Sequence, residues 1–203
     1  MVKSMTVGKF LVAGALVALV AGCFDEPTSA EKTVESAARV YLSERGLKDL
    51  RAVGFAAPEK VDYLNLDRNQ LTNVDAVAKL TSLKWLRLNG NRLNTLPKLD
   101  ELKKLRRIYL KNNQFKVVPE ELKDLPDLTD IDLSGNPITE VPEWLAKKEG
   151  LENLSFTRTQ ITKLPEDLTA WKNLLSLQLG DLKLSAEEMA RIRAALPDVA
   201  IVF

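Results

Sequence analysis

The sequence predicts an α/β solenoid: stacked repeats with a parallel strand ladder on the concave face and short helices or 3-10 turns on the convex face. The pattern LxxLxLxxNxLxxLP, with Ile, Val or Phe in place of some leucines, occurs three times in succession between residues 83 and 142. Related units begin at residues 61, 83, 105, 128, 151 and 174, at intervals of 22 or 23 residues. Pairs such as Leu86 and Leu88 indicate short strands with one buried face. A unit this short cannot enclose a core alone, so the units must stack.

Asparagine occupies the ninth position of four successive units. A buried amide there can satisfy backbone groups of adjacent turns that have no partner in the strand ladder. The corresponding residue is Thr159 in the fifth unit, which keeps some hydrogen-bonding capacity, and Leu182 in the sixth, which keeps none. We therefore expect the ladder of buried asparagines to end near the sixth turn. The four asparagines are Asn69, Asn91, Asn113 and Asn136.

These motifs resemble the leucine-rich repeat family over residues 61–184, which would hold about six repeats. The resemblance implies a scaffold that binds a protein partner through its concave face. It also implies a cap on each side of the repeats, and we expect these caps at residues 30–60 and 185–203.

The chain begins with features of a secretory signal peptide at residues 1–22. Lys3 and Lys9 precede an apolar run at residues 10–20, which is too short to span a membrane as a mature helix. The stretch LVAGC at residues 19–23 resembles the bacterial lipobox, which implies cleavage before Cys23 and lipidation of its thiol. The alternative is an ordinary signal peptide with an incidental cysteine, although Cys23 is the only cysteine in the chain.

A lipidated Cys23 would anchor the mature chain in a membrane of the bacterial cell envelope, since several acyl chains together hold a protein stably. Residues 23–29 then form a short tether with little apolar surface to bury. The residue after the cysteine is Phe24. It is not the Asp that would resemble an inner-membrane retention signal. This favours the periplasmic face of the outer membrane, although Asp25 weakens the inference.

Composition limits the possible functions. The chain has 29 Lys plus Arg against 28 Asp plus Glu; without Lys3 and Lys9 the counts are 27 and 28, a net charge of −1. This balance does not favour nucleic acid as a partner. With no histidine and one cysteine, zinc coordination and a Cys/His or Ser/His catalytic pair are excluded. We expect a monomer with no metal and no cofactor.

The N-terminal cap is predicted to be helical. Thr28 and Glu31 have capping-box spacing, and an apolar stripe that includes Ala38, Tyr41 and Leu42 follows at helical spacing. The alternative for this stripe is a helix on the membrane surface.

The C-terminal cap is predicted to be a helix followed by a strand. Ser185 and Glu188 have capping-box spacing, Pro197 stops the helix, and residues 199–203 form the strand.

Three return segments contain Pro-Glu, at residues 119–120, 142–143 and 165–166, and predict short helices because proline is tolerated in a first helical turn. By register, Trp171 belongs to the core and Trp144 is partly exposed. Lys148 takes a core register and must either extend its ammonium group to the surface or loosen that turn.

Candidate functional residues lie on the solvent-facing side of the strands, mainly in the first half. Trp, Tyr and Arg are enriched in binding hot spots, and an exposed Trp on a sheet needs an explanation. Alternatively, these side chains only satisfy one another, for example Arg107 with Asp130. The predicted partner-binding residues are Tyr63, Trp85, Arg87, Arg107, Tyr109, Lys111, Asp130 and Asp132.

Two functions remain open, the protein-binding scaffold and a module that binds envelope glycan or lipopolysaccharide. In the second, Trp85 and Tyr109 would stack on sugar rings while Arg87, Arg107 and Lys111 meet anionic groups. An enzyme is disfavoured. Asp130 and Asp132 form a carboxylate pair, but we expect both on an open, wet face with no pocket to shift a pKa, so no catalytic residue is predicted.

Overall fold

The computed structural model describes residues 38–51, 53–55 and 57–203. Within these residues the strands form one parallel sheet in chain order, so each strand pairs with the next one along the chain. The predicted α/β repeat solenoid is confirmed. The strands are β1 Ala38–Tyr41, β2 Val61–Asn65, β3 Trp85–Arg87, β4 Arg107–Tyr109, β5 Asp130–Asp132, β6 Asn153–Ser155, β7 Ser176–Gln178 and β8 Ala200–Val202.

The return segments carry short helices opposite the sheet. Prolines 119 and 142 directly precede a helix as predicted, whereas after Pro165 the helix begins only at Thr169. The first return segment also has a 3-10 helix, which the sequence did not predict. The 3-10 helices are Pro58–Lys60, Asp75–Lys79, Glu120–Leu122 and Thr169–Asn173, and the α-helices are α1 Glu143–Ala146 and α2 Ala186–Ala195.

The core lies between the sheet and the return segments. Strand register aligns the central residue of each strand, so that Leu86 pairs with Ile108 and Ile108 with Ile131. All three are buried, as is Leu110, two residues after Ile108. Each turn therefore buries its leucines against those of the turns before and after it. In the part of the chain described, no helix combines the length and hydrophobicity needed to cross a bilayer.

Buried asparagines join consecutive turns. The amide of Asn113 donates to the carbonyl oxygens of Leu88 and Leu110 at 3.0 and 2.9 Å, and its oxygen accepts from the N–H of Leu93 at 3.1 Å. Asn69, Asn91 and Asn136 repeat this arrangement. The predicted ladder is thus present.

The ladder ends one turn earlier than expected. The hydroxyl of Thr159 is buried and has no hydrogen-bond partner within the described residues. Asn136 is therefore the last member, because the shorter threonine side chain does not reach the backbone groups that an asparagine amide bonds.

A left-handed residue precedes the asparagine position in every turn, with φ between 54° and 69°. Such a conformation costs most residues energy, and glycine adopts it without a Cβ penalty. Position 135 favours glycine for a second reason, because a Cβ there would lie 2.1 Å from Oδ1 of Asn112. The seven residues are Glu44, Arg68, Gly90, Asn112, Gly135, Arg158 and Asp181.

The predicted N-terminal helix is wrong for residues 38–41, which form β1. Val40 is buried and pairs with Leu64. Ala38, Tyr41 and Leu42 do have helical spacing, but Val40 and Leu42 also alternate around Tyr41, and pairing with β2 decides between the two patterns. The predicted capping box at residues 28 and 31 and the tether lie outside the described residues, as do the signal peptide and Cys23.

The segment after β1 closes as another turn of the solenoid. The amide oxygen of Asn69 accepts from the backbone N–H groups of Arg45 and Leu47, at 3.0 Å each. Leu50 is buried in the same core as the repeats. The described part of the N-terminal cap is thus a degenerate repeat.

Three predicted side-chain placements in the return segments are confirmed. Trp171 is fully buried and its indole N–H donates to the carbonyl of Leu145 at 2.9 Å. Trp144 is half-buried. Lys148 extends its ammonium group to the carbonyls of Lys123 and Leu125, at 3.0 and 2.8 Å; burial lowers the pKa of this group.

The C-terminal cap is a helix and a strand, as predicted. The Ser185 hydroxyl accepts from the N–H of Glu188 at 3.1 Å. Glu188 does not complete a capping box. Its carboxylate accepts from the N–H of Leu164 at 2.8 Å and pairs with Arg191, also at 2.8 Å. Since Arg191 also donates to the Leu164 carbonyl at 3.0 Å, α2 is joined to the preceding turn by polar contacts.

Replacing Leu110 by alanine should lower the free energy of unfolding by about 2–5 kcal/mol, because a fully buried side chain in the middle of the stack is lost and a cavity remains. Chemical denaturation measures this change. The matched control is Leu175→Ala, since Leu175 is 64% exposed. This substitution should lower the free energy of unfolding by less than about 0.5 kcal/mol. Similar losses for the two variants would contradict the assigned core.

The Glu188 contact should make stability depend on pH. The pKa of Glu188 is lowered, chiefly by the hydrogen bond from Arg191 and also by that from Leu164, against the desolvation of burial. Its contribution is therefore present above the ordinary pKa and is lost as the pH falls through the lowered one. Glu188→Gln should cost about 1–3 kcal/mol near neutral pH, and the difference from wild type should shrink below about pH 4.5.

Denaturant unfolding of both proteins across this pH range measures the effect. Glu149→Gln removes the same charge from an exposed position outside this contact and is the control. A difference between wild type and Glu188→Gln that stays constant from pH 7 to pH 3 would exclude the ionic contribution.

Candidate binding face

The parallel register brings most of the predicted binding residues together on the concave face. Tyr63, Trp85, Arg107 and Asp130 occupy successive strands at one aligned position. Arg87, Tyr109 and Asp132 occupy the position two residues further along each strand. Lys111 lies just beyond β4 and is half-buried, with its backbone N–H bonded to Asn89 at 2.9 Å.

Four side chains from β1 to β4 stack against one another, and we refer to Tyr41, Tyr63, Trp85 and Arg107 as the aromatic row. The ring centroids of Tyr41 and Tyr63 are 5.2 Å apart, and those of Tyr63 and Trp85 are 5.8 Å apart in an edge-to-face arrangement. The guanidinium carbon of Arg107 lies 4.6 Å from the centroid of the Trp85 ring. Trp85 therefore lies between Tyr63 and Arg107, yet it remains 38% exposed.

Arg87 is held by an ion pair and an aromatic ring. Its Nε and NH2 atoms lie 2.8 and 2.7 Å from one carboxylate oxygen of Asp67, and its guanidinium carbon lies 5.4 Å from the centroid of Tyr109. Burial alone would lower the pKa of Arg87, but the hydrogen bond and the charge of Asp67 outweigh burial and raise it. Arg87 thus stays charged in a defined position.

Asp130 departs from the sequence expectation of a carboxylate on an open, wet face. It is only 7% exposed. Its oxygens accept from the Thr129 hydroxyl at 2.6 Å and the Asn153 amide at 3.0 Å, and Nε of Arg107 lies 3.5 Å away. The expectation failed because the neighbouring strand supplies Asn153, which covers the carboxylate. The predicted pairing of Arg107 with Asp130 is present.

The ion pairs on this face are layered by depth. The Arg87 side chain is 39% exposed and that of its partner Asp67 is 12% exposed. Arg107 and Asp130 show the same order, at 37% and 10%. The carboxylates therefore lie near the sheet, and the guanidinium groups lie above them towards solvent.

The phenols of the face keep their protons well above neutral pH. Burial raises the pKa of Tyr63, and it does so for Tyr109 as well. Both groups can consequently donate hydrogen bonds to a ligand.

The second half of the face carries small neutral side chains. Ser134 and Ser155 share a hydroxyl contact of 2.7 Å, and Ser155 and Thr157 one of 3.5 Å. Ser176 and Gln178 continue this character on β7. The concave face therefore divides into an aromatic and basic half on β1–β4 and a small, uncharged half on β6 and β7.

Two residues of the face were missed in the sequence. Tyr41 falls in the predicted helix, and the alternation of Val40 and Leu42 around it is the sequence signal that indicates its place on the face. Asp67 is absent from the predicted binding residues, and nothing in the sequence indicates that it accepts from the N–H of Asn89 at 2.8 Å. Among the described residues, no group of three or more His, Cys, Asp or Glu could hold a metal ion.

Short parallel strands, buried asparagines and left-handed turns at a fixed period define a solenoid repeat protein with an open concave face. Residues 36–93 match the family described as "Leucine rich repeat", and residues 103–146 match the family described as "Leucine Rich repeats (2 copies)". The chain belongs to the leucine-rich repeat family.

Two solved internalin structures from Listeria monocytogenes share the architecture. Internalin C2 of Listeria monocytogenes is 26% identical over 80% of this chain and 67% of its own, with a TM-score of 0.64. Another Listeria monocytogenes internalin is 22% identical over 71% of this chain, with a TM-score of 0.62, and the chain spans only 44% of its length. For a leucine-rich repeat protein of Leptospira interrogans the identity is 27%, the coverage 71% and 55%, and the TM-score 0.42. No curated protein matches the sequence.

Proposed function

We propose that the chain is a lipid-anchored scaffold of the bacterial cell envelope that binds a protein partner through the first half of its concave face. Leucine-rich repeat proteins generally act as scaffolds for protein interactions. The aromatic row is the observation that carries the proposal for this chain, since it keeps Trp85 38% exposed in a packed, ordered setting. The proposed role is binding and not catalysis.

The aromatic row has the properties of a binding hot spot. Trp, Tyr and Arg offer large contact area with polar tips. Their mutual stacking reduces the rotamer freedom that binding would otherwise remove, so less affinity is lost to ordering. The ion pair between Arg87 and Asp67, with contacts of 2.7 and 2.8 Å, extends this order to the neighbouring position.

The glycan alternative needs open aromatic faces on which sugar rings can stack. Trp85 lies between Tyr63 and Arg107, and Tyr109 carries Arg87 over its ring at 5.4 Å. On the ring face that Arg107 or Arg87 covers, a sugar ring would have to displace a cation. This occupancy supports a protein partner over a glycan.

The membrane anchor in this proposal is lipidated Cys23, after removal of residues 1–22. Its support is the lipobox-like stretch LVAGC at residues 19–23. With Phe24 following the cysteine, we propose the periplasmic face of the outer membrane as the location. The chain would act there as a monomer.

Trp85→Ala and Arg107→Ala should each weaken partner binding by about 2 kcal/mol or more, because each removes a member of the proposed hot spot. The matched controls are Ser176→Ala and Gln178→Ala, on the small, uncharged half, which should change binding little. The measurement is affinity for a partner captured from envelope extract, with melting curves to confirm folding. Equal tolerance at all four positions would move the site away from this face, with Trp144 on the other side as the next candidate.

Cys23→Ser should give an uncleaved or soluble species, because the thiol that accepts the acyl chain is absent. Membrane fractionation after a carbonate wash, together with the size of the mature chain, measures this outcome. Ser29→Ala, in the proposed tether, is the control and should leave anchoring intact. A Cys23→Ser variant that is processed normally and stays in the membrane would disprove the lipoprotein assignment.

A further inference from the structure

The aromatic row offers polar tips to a ligand. Tyr63 and Arg107 flank Trp85, so the ring of Trp85 is partly covered by its neighbours. The groups at those tips are phenol O–H, indole N–H and guanidinium N–H, and the indole and guanidinium groups can only donate hydrogen bonds. A ligand for this row must therefore supply acceptors.

Most carboxylate oxygens on the same face already accept hydrogen bonds within the protein. Asp67 accepts from Arg87 and from the N–H of Asn89, at 2.8 Å each. Asp130 accepts from Thr129 and Asn153 at 2.6 and 3.0 Å.

The third carboxylate, Asp132, accepts from the N–H of Ser134 at 2.9 Å. Asp67 and Asp130 thus hold neighbouring groups in place with the arginines above them, whereas Asp132 is half-buried.

The basic groups have donors to spare. A guanidinium has five N–H donors; the Arg87 contacts with Asp67 involve its Nε and NH2, and the Arg107 contact with Asp130 involves its Nε. Lys111, just beyond β4, is half-buried, and Arg106, which directly precedes β4, is exposed. The ion pairs balance in number, but the carboxylates of Asp67 and Asp130 lie deeper than the guanidinium groups of Arg87 and Arg107. The surface that meets a ligand at these two pairs is therefore basic.

From this layering we propose that the aromatic and basic half of the concave face binds an acidic, extended segment of the protein partner. This inference rests on the proposed function and names the chemistry of the partner. Glutamate or aspartate carboxylates of the segment would accept from Arg107, Lys111 and the outward donors of Arg87. Charge-assisted bonds of this kind are stronger than neutral ones.

The dimensions fit a short segment that runs across the strands. Neighbouring strands are about 4.8 Å apart, so the four strands of the aromatic row cover about 14 Å, the length of four or five extended residues. The small side chains of the second half leave room beside the row for the rest of the partner. Ser155 and Ser176 are among them.

The test uses the full chain in detergent and an eight-residue peptide of alternating glutamate and serine. Two matched peptides replace glutamate by glutamine or by lysine. We expect the glutamate peptide to bind at least about tenfold more tightly than the glutamine peptide, because only its carboxylates form charge-assisted bonds. Its affinity should fall as salt is raised from about 0.02 to 0.5 M, because the contacts are solvent-exposed.

Arg107→Gln and Lys111→Gln should each weaken binding of the glutamate peptide about five- to tenfold, since each removes one charged donor. Lys172→Gln removes the same charge from an exposed position on a convex-side helix and should have no effect. Lys111 makes no ion pair within the described residues, so Lys111→Gln should leave the melting temperature unchanged. The test therefore remains valid if Arg107→Gln is unstable.

Five results would overturn the inference. Three are equal or tighter binding of the glutamine or lysine peptide, no binding of the glutamate peptide at millimolar concentration, and an equal loss in Lys172→Gln. The fourth is displacement of the protein partner by an anionic glycan, and the fifth is self-association that Arg107→Gln abolishes.

The proposed function would fail differently from this inference. If Trp85→Ala weakens capture of the partner while Lys111→Gln and added salt do not, the concave face binds a protein and the acidic segment is excluded. If Trp85→Ala and Ser176→Ala bind the partner equally well, the face itself is excluded.

Discussion

The structure depends on the hydrogen bonds that buried asparagine amides make between consecutive turns. Each turn of the chain leaves the sheet directly after its strand, at a point where backbone groups lose their ladder partners inside an apolar core. Leaving such groups unpaired costs about 1–3 kcal/mol each. Asn113 satisfies three of them at once, in two different turns. The stack of leucines can close only because these groups are paired.

This constraint also determines where the concave side chains lie. The amide ties turns together at a constant offset, so residues 22 or 23 apart in sequence become neighbours across the sheet. Trp85 is therefore brought beside Tyr63 and Arg107. A substitution that shifted the register by one residue would exchange the core and solvent faces of the strand. The binding surface thus inherits its order from the core.

The ion pairs of the concave face add order of a different kind. Asp67 and Asp130 lie close to the sheet, and each is bonded to its own neighbours as well as near a guanidinium. A carboxylate that is already fixed can hold an arginine in one place without a further loss of its own conformational freedom. Because the arginines lie above them and stack on aromatic rings, the basic groups are preorganised for a ligand.

By itself, the sequence determined the repeat, the strand register, the buried leucines and the asparagine ladder, because a period of 22 or 23 residues repeats one local solution. It also placed Trp171 in the core and most of the concave residues on one face. Only the tertiary structure decided that Ala38–Tyr41 is a strand, since helical and alternating spacings coincide there and pairing with β2 selects one. It likewise decided the depth of Asp130, which depends on cover from Asn153 on the next strand. The sequence of a single turn does not determine the contacts between turns. These contacts decide which side chains remain available for binding.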